Sequence, residues 1–273
     1  MHSKINWLSI MMITAGLSVA GSSLLASQSM FDPALDSPER EWCYAAQSTT
    51  VIGKPFVPAP IQITYDGAIY TQHAELAFFY GKQLKPVMAR NKTFLEGWMP
   101  IIVYDWKDDG VNYYMKILSA ELPELGINNL VQFAELTMSN TSSSSTEGLV
   151  GAAVRGTAGH FRKSPVKESV VPDTRFIMRD GYLSRNGKMV YTYSPGAEQY
   201  AVPDAPYQGE YAAQDYHLTD RTATGFSLYC RTLKPGETYT AIFRMPRIPV
   251  EEPKHIVAVQ AADYRAGFAE AVQ

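Results

Sequence analysis

Glycoside hydrolysis needs two carboxyl groups held about 5–10 Å apart across a cleft. Three groups of acids in this chain raise that chemistry: Asp105 with Asp108 and Asp109, Glu121 with Glu124, and Glu210 with Asp215. Closeness along the chain does not set closeness across a cleft. Asp108 and Asp109 precede Gly110, where turn formation accounts for them, and the other acids read as solvated side chains. No catalytic residue is therefore expected among them. His73, His160, His217 and His255 lie far apart, with no pair at the i, i+4 or short-loop spacing of a zinc site, so no metal is expected. Asp215-Tyr216-His217, followed by Asp220, is the densest polar cluster. The chain has no G-x-S-x-G elbow, phosphate-cradling loop or dinucleotide glycine fingerprint, and the expectation for cofactors is none.

Aromatic rings offer a second route to function, because a flat ring stacks on the apolar face of a sugar while its polar edge bonds hydroxyls. Trp98 and Trp106 are flanked by apolar strand residues and read as core. The stretch 200–216 (YAVPDAPYQGEYAAQDY) is polar and broken by Pro and Gly. Its Tyr200, Tyr207, Tyr211 and Tyr216, with the adjoining His217, are the candidate carbohydrate-binding residues, ordinary loop packing being the alternative. The two cysteines, Cys43 and Cys230, allow a bridge in an oxidising compartment and equally allow two buried thiols. Neither has a histidine near it in sequence, so a catalytic or metal role is not expected.

These residues need a scaffold, and the chain's ends differ from its middle. Lys4 precedes an apolar run from Ile5 to Val19, and Ser18-Val19-Ala20 supplies small residues for cleavage. This reads as a signal peptide over 1–20, short of the ~20 apolar residues of a membrane span. The expected location is secreted or periplasmic, with no membrane attachment after cleavage. A polar, Pro-punctuated leader follows over 21–41, then a domain over 42–250 and a linker with a helix over 251–273. In the last segment Tyr264, Phe268 and Val272 recur at i, i+4, i+8 within an Ala-rich run, the spacing of one helical face over 259–273.

Within the domain, strand and turn signals repeat. Asp109-Gly110 joins Met99–Trp106 to Val111–Ala120, and Asn186-Gly187 joins Tyr182–Arg185 to Lys188–Tyr193, both reading as two-residue hairpins. Lys234-Pro235-Gly236-Glu237 reads as the turn of a third, between Gly225–Arg231 and Thr238–Met245. The Ser/Thr run 139–146 reads as a solvated loop, and Asn140-Thr141-Ser142 and Asn91-Lys92-Thr93 as glycan acceptors only in a eukaryotic secretory route. On the first hairpin, Ile102, Tyr104 and Trp106 share one face while Ile101 and Val103 share the other. A strand apolar on both faces should be covered on both sides, by a third layer or another domain.

Composition agrees with this scaffold. The 273 residues are 46% apolar, 19% charged and 12% aromatic, a globular profile, and 17 Pro, 19 Gly and 17 Tyr spread along the chain favour short strands and tight turns. With 24 Lys+Arg against 27 Asp+Glu the net charge is −3, without a basic stripe, which argues against nucleic acid as a partner. The fold class expected is all-β.

The runs Gly97–Val103 (GWMPIIV) and Trp106–Tyr113 (WKDDGVNY), the strand Leu136–Thr141, Leu233–Thr238 (LKPGET) and Arg244-Met245-Pro246 together resemble the N-terminal super-β-sandwich of bacterial six-hairpin glycosidases. The resemblance covers about 42–273. It implies a large antiparallel sandwich, similar in fold to galactose mutarotase, with a C-terminal linker helix leading toward an (α/α)6 toroid that holds the catalytic acids. The toroid needs several hundred further residues, so no family catalytic residue has a position to map onto here. The expectation is a secreted, carbohydrate-associated module, inactive alone, whose partners are carbohydrate and a helical (α/α)6 domain in cis or in trans. A free-standing carbohydrate-binding protein is the alternative, and an independent sugar epimerase or lyase using His217 and Glu210 a third reading.

Overall fold

Turn chemistry and alternating apolar residues set most of the strand pairing. The structure is a computed structural model, and it describes residues 50–54, 57, 61–64, 66–87, 91–126, 128–155, 176–179, 181–197, 199–201, 212–213, 216–217 and 223–272. The expected signal peptide over 1–20, the leader over 21–41 and Cys43 lie outside these residues. In chain order the strands are β1 (Thr50–Ile52), β2 (Ile61–Ile63), β3 (Ile69–Tyr70), β4 (Glu75–Tyr80), β5 (Lys85–Pro86), β6 (Thr93–Leu95), β7 (Met99–Asp108), β8 (Val111–Ala120) and β9 (Val131–Asn140). They continue as β10 (Thr146–Arg155), β11 (Phe176–Arg179), β12 (Tyr182–Arg185), β13 (Lys188–Tyr193), β14 (Gln199–Ala201), β15 (Ala212–Ala213), β16 (Tyr216–His217), β17 (Ala223–Leu233) and β18 (Thr238–Pro246). One antiparallel sheet runs β1-β2-β3-β4-β10-β17-β14, with β5 also paired to β4; the other runs β11-β12-β13-β18-β9-β8-β7-β6. The fold is an all-β sandwich.

Both Asx-Gly hairpins form. Asp109 and Gly110 have φ of +46° and +78°, and Asn186 and Gly187 +51° and +83°, the double positive φ that a twisted two-residue turn requires. The third expected hairpin is not one. β17 pairs with β10 and β14 while β18 pairs with β9 and β13, so 234–237 carries the chain from one sheet to the other. The two strands meet through side chains instead: Tyr229 and Phe243 stack edge-on at 5.9 Å in the sandwich interior. Residues 141–145 make the same kind of crossing between β9 and β10. The interior cluster takes Ile63, Leu76, Phe78 and Val150 from one sheet, and Ile102, Tyr104, Met115 and Phe243 from the other.

The two-faced strand β7 has its second face filled by the chain itself. Ile101 and Val103 join Leu118, Val131 and Phe133 in a separate apolar cluster closed by Val259, Ala262 and Tyr264. The single helix expected over 259–273 is two helices, α1 (Pro253–Ala261) and α2 (Tyr264–Ala271). Ala262 is extended, Arg244 Nε donates to its carbonyl at 2.8 Å, and the Asp263 carboxylate caps α2 by accepting from Arg265 N at 3.0 Å. The expected stripe holds: Tyr264 is buried, and Phe268 and Val272 pack against the same cluster. Gly267 lets α2 settle on the sheet, since a Cβ there would lie 3.2 Å from both Ala120 Cβ and Phe133 Cε2. Among the described residues no helix is long and apolar enough to cross a membrane.

Candidate functional site

The residues singled out for carbohydrate binding divide into those with a described backbone and those without. Tyr200 lies on β14, opposite Ser227 of β17, and Tyr216 and His217 on β16, opposite Ala213 and Ala212 of β15. Tyr207 and Tyr211 lie outside the described residues, as do Glu210, Asp215, Asp220 and His160. Cys230 is half-buried on β17, packed against a cluster on the outward face of the first sheet that includes Phe79, Leu149, Phe226 and Leu228.

The remaining carboxylates are spread over strand, turn and loop positions. Asp108 accepts from Lys85 Nζ at 3.0 Å, Asp109 occupies the hairpin turn, and Asp105 is exposed on β7. Glu121 and Glu124 are exposed around the 3₁₀ turn Pro123–Leu125. No group of three or more potential metal ligands gathers among the described residues.

The two tryptophans part company. Trp106 packs against the interior as expected, its ring parallel to Tyr113 at 5.2 Å and tilted against Tyr80 at 5.6 Å. Trp98, expected in the core, is 67% exposed. Glu96 and Gly97, with φ of +53° and +81°, form the turn between β6 and β7, and Gly97 N donates to the Phe94 carbonyl at 2.8 Å. Trp98 thus belongs to the turn and not to the strand, so the strand's apolar pattern does not draw its ring inward. Phe94, on the edge strand β6, is 37% exposed. The Glu96-Gly97 pair was the signal: a turn glycine immediately before the ring outweighs the apolar residues after it.

The second surface lies on the helical layer. Ala120, Ala258, Ala262 and Gly267 line a groove of about 320 Å³ between the helices and the end of β8. Glu121, Glu124, Asp263 and Glu270 also line it. A second depression of about 530 Å³ is lined by Leu125 and Val250, with Glu251, Glu252 and His255. Lys54 donates to Glu270, which also accepts from Glu121 N at 3.2 Å, and Lys254 pairs with Glu252 at 3.0 Å. The hydrogen bond from Lys254, reinforced by its charge, holds the Glu252 carboxyl below its ordinary range. Among the described residues no ion pair engages Glu121, Glu124 or Glu251. The outer side of α1 exposes Lys254, Val257 and Ala261, with Val257 62% exposed. This surface escaped sequence reading because it joins 120–124 to 251–270, segments that only the folded chain brings together.

No family model and no curated protein matches the chain, which leaves the sandwich, the exposed Trp98 and the grooved helical layer to bear on function.

Proposed function

We propose that the chain is an exported, carbohydrate-associated β-sandwich module, the non-catalytic part of a glycosidase assembly, which braces a helical (α/α)6 domain in cis or in trans. The observation that carries this reading is the two-sided helical layer. One side of α1 and α2 seals the apolar cluster over β7, β8 and β9, while Val257 is exposed on the outer side and a small-residue groove opens at the margin between the helices and the end of β8. The small residues Ala258, Ala261 and Ala262 beside Val257 would let a further helix pack closely on this layer. The turn and ion-pair positions of Asp108 and Asp109 support an accessory role for the sandwich. Cross-linking mass spectrometry on the native protein from its own cells tests the proposal. Links from Lys254 to a helical glycosidase domain, in the same or a separate polypeptide, are expected. Glycoside hydrolysis by the purified chain, lost on substituting one of its own carboxylates, would overturn it.

A second reading, a free-standing carbohydrate-binding protein, is favoured by one observation: Trp98 presents most of its ring to solvent from a turn. Aromatic stacking contributes about 1.5 kcal/mol, so Trp98→Ala is expected to weaken glycan binding by about tenfold. The melting temperature should stay within about 2 °C, since so exposed a side chain contributes little packing. Titration calorimetry against soluble polysaccharides checks both. Absence of heat with every glycan, or an unchanged affinity in the variant, counts against this reading.

A further inference from the structure

We infer that the outer face of α1 and its flanking grooves form a docking site for a basic amphipathic helix, one whose apolar stripe is bordered by Lys or Arg. This rests on the accessory-module reading and specifies the partner's chemistry. The centre of the site is apolar and shallow: Val257 is 62% exposed, with Ala261 one turn along and Ala258 lining the groove. Alanines at such positions let a second helix axis approach to about 8 Å, the close end of helix packing. The border is acidic, with Glu121 and Glu124 along one groove and Glu251 beside the other. None of these three takes part in an ion pair among the described residues.

Charge decides between occupants. A neutral helix would bring apolar surface but leave the carboxylates beside it partly desolvated without a countercharge, which costs free energy. A second copy of this chain would bring the same mostly acidic border, with its exposed cation Lys254 already paired to Glu252, and so would supply no basic flank to match it. Lysine and arginine stems can lie over the alanines while their heads reach the carboxylates, and complementary charge speeds encounter and sets register.

The test uses the full chain and two labelled synthetic helices with the same Leu/Ala stripe, one flanked by Lys and one by Glu, followed by fluorescence anisotropy. The Lys helix is expected to bind at least tenfold more tightly than the Glu helix in 50 mM salt and to weaken in 500 mM salt. Glu124→Lys combined with Glu251→Lys should cut its affinity at least tenfold, and Val257→Asp should abolish binding, with far-UV circular dichroism and melting temperature unchanged. Equal affinity for both helices, no binding of either, or indifference to the charge reversals would overturn the inference. So would self-association in sedimentation analysis that Val257→Asp removes, since the occupant would then be a second copy. If cross-links reach a helical glycosidase domain and survive the charge reversals, the accessory reading stands and this inference falls. Binding of the Lys helix with no such domain recovered supports the docking chemistry and removes the accessory reading.

Discussion

Raising the pH above 10 is expected to unfold the sandwich in one cooperative step, with its midpoint between about pH 10 and 11.5. Five tyrosines drive it. Burial raises the pKa of Tyr104, Tyr113, Tyr191, Tyr229 and Tyr264 above the ordinary phenol value. Three of them also donate hydrogen bonds that a phenolate cannot make. Tyr104 bonds the Gly67 carbonyl at 2.7 Å, Tyr191 that of Gly225 at 2.5 Å and Tyr229 that of Ser194 at 2.5 Å. The unfolded chain releases these protons near pH 10 while the folded chain keeps them. Their contribution is therefore complete below pH 10 and is lost as pH rises toward the folded values. By pH 11, about one unit above the unfolded phenol value, each removes roughly 1 kcal/mol, and the five together remove a large part of the stability of an ordinary domain.

Below pH 10.5 Lys92 works in the opposite sense. Burial lowers Lys92 to about 8, with the Asp66 carboxylate partly opposing, so between about pH 8 and 10.5 the unfolded chain holds more protons and stability rises with pH. It is one cation against five phenols, and the balance turns near pH 10. Tyrosinate absorbance at 295 nm should rise together with the loss of near-UV circular dichroism. A gradual rise in absorbance with the dichroism intact past pH 12 would contradict the argument.

The parts of the fold legible in the sequence are those decided within a few residues. Asp109-Gly110 and Asn186-Gly187 specify their turns because both positions need positive φ. The coverage of both faces of β7 was legible for a related reason: Ile101 and Ile102 are adjacent, so one must point each way. The segment 234–237 shows where this ends. A Pro-Gly turn looks alike whether its flanking strands pair or cross, and here the contact of Tyr229 with Phe243 across the interior accompanies the crossing. The break in the C-terminal helix has the same origin. Alanines favour continuation past Ala262, but Arg244, eighteen residues earlier, bonds its carbonyl and Asp263 restarts the helix.

The site was less legible because it depends on exposure and juxtaposition. Trp98 and Trp106 sit in similar apolar surroundings in sequence, and only the turn at Glu96-Gly97 separates a ring in solvent from one in the core. The acidic grooves contain residues that individually read as ordinary solvated acids and helix alanines. Their meaning comes from Glu121 and Glu124 standing beside Ala258 and Ala262 in the folded chain.

Asn140→Asp is expected to destabilise the fold by about 3–5 kcal/mol at pH 7, the scale of a buried polar network broken by an unpaired charge. Asn140, in the Ser/Thr stretch expected to be a solvated loop, is instead 2% exposed and closes both crossings between the sheets. Its amide donates to the carbonyls of Ser144 at 2.7 Å and Leu233 at 2.8 Å, while its Oδ1 accepts from Ser142 N and Oγ at 2.8 Å each. Its backbone N donates to the Glu237 carbonyl and its carbonyl accepts from Gly236 N, each at 3.0 Å, while the neighbouring Thr141 N donates to the Gly110 carbonyl at 3.1 Å. Asn140 thus ties the turns at 141–145 and 234–237 together, Thr141 adds the Asp109-Gly110 hairpin, and the buried amide of Asn140 rules out the glycan-acceptor reading in the folded chain. A carboxylate keeps the two accepted bonds but sets an oxygen against two carbonyl oxygens. Protonation restores one donor, so the folded pKa of the substituted group lies above its unfolded value. The variant's deficit should therefore be smaller at pH 4.5 than at pH 7, whereas that of Asn140→Ala should barely change. Urea unfolding of the three proteins at both pH values measures this. Equal deficits at the two pH values for Asn140→Asp would mean that the buried amide is not what holds the crossings together.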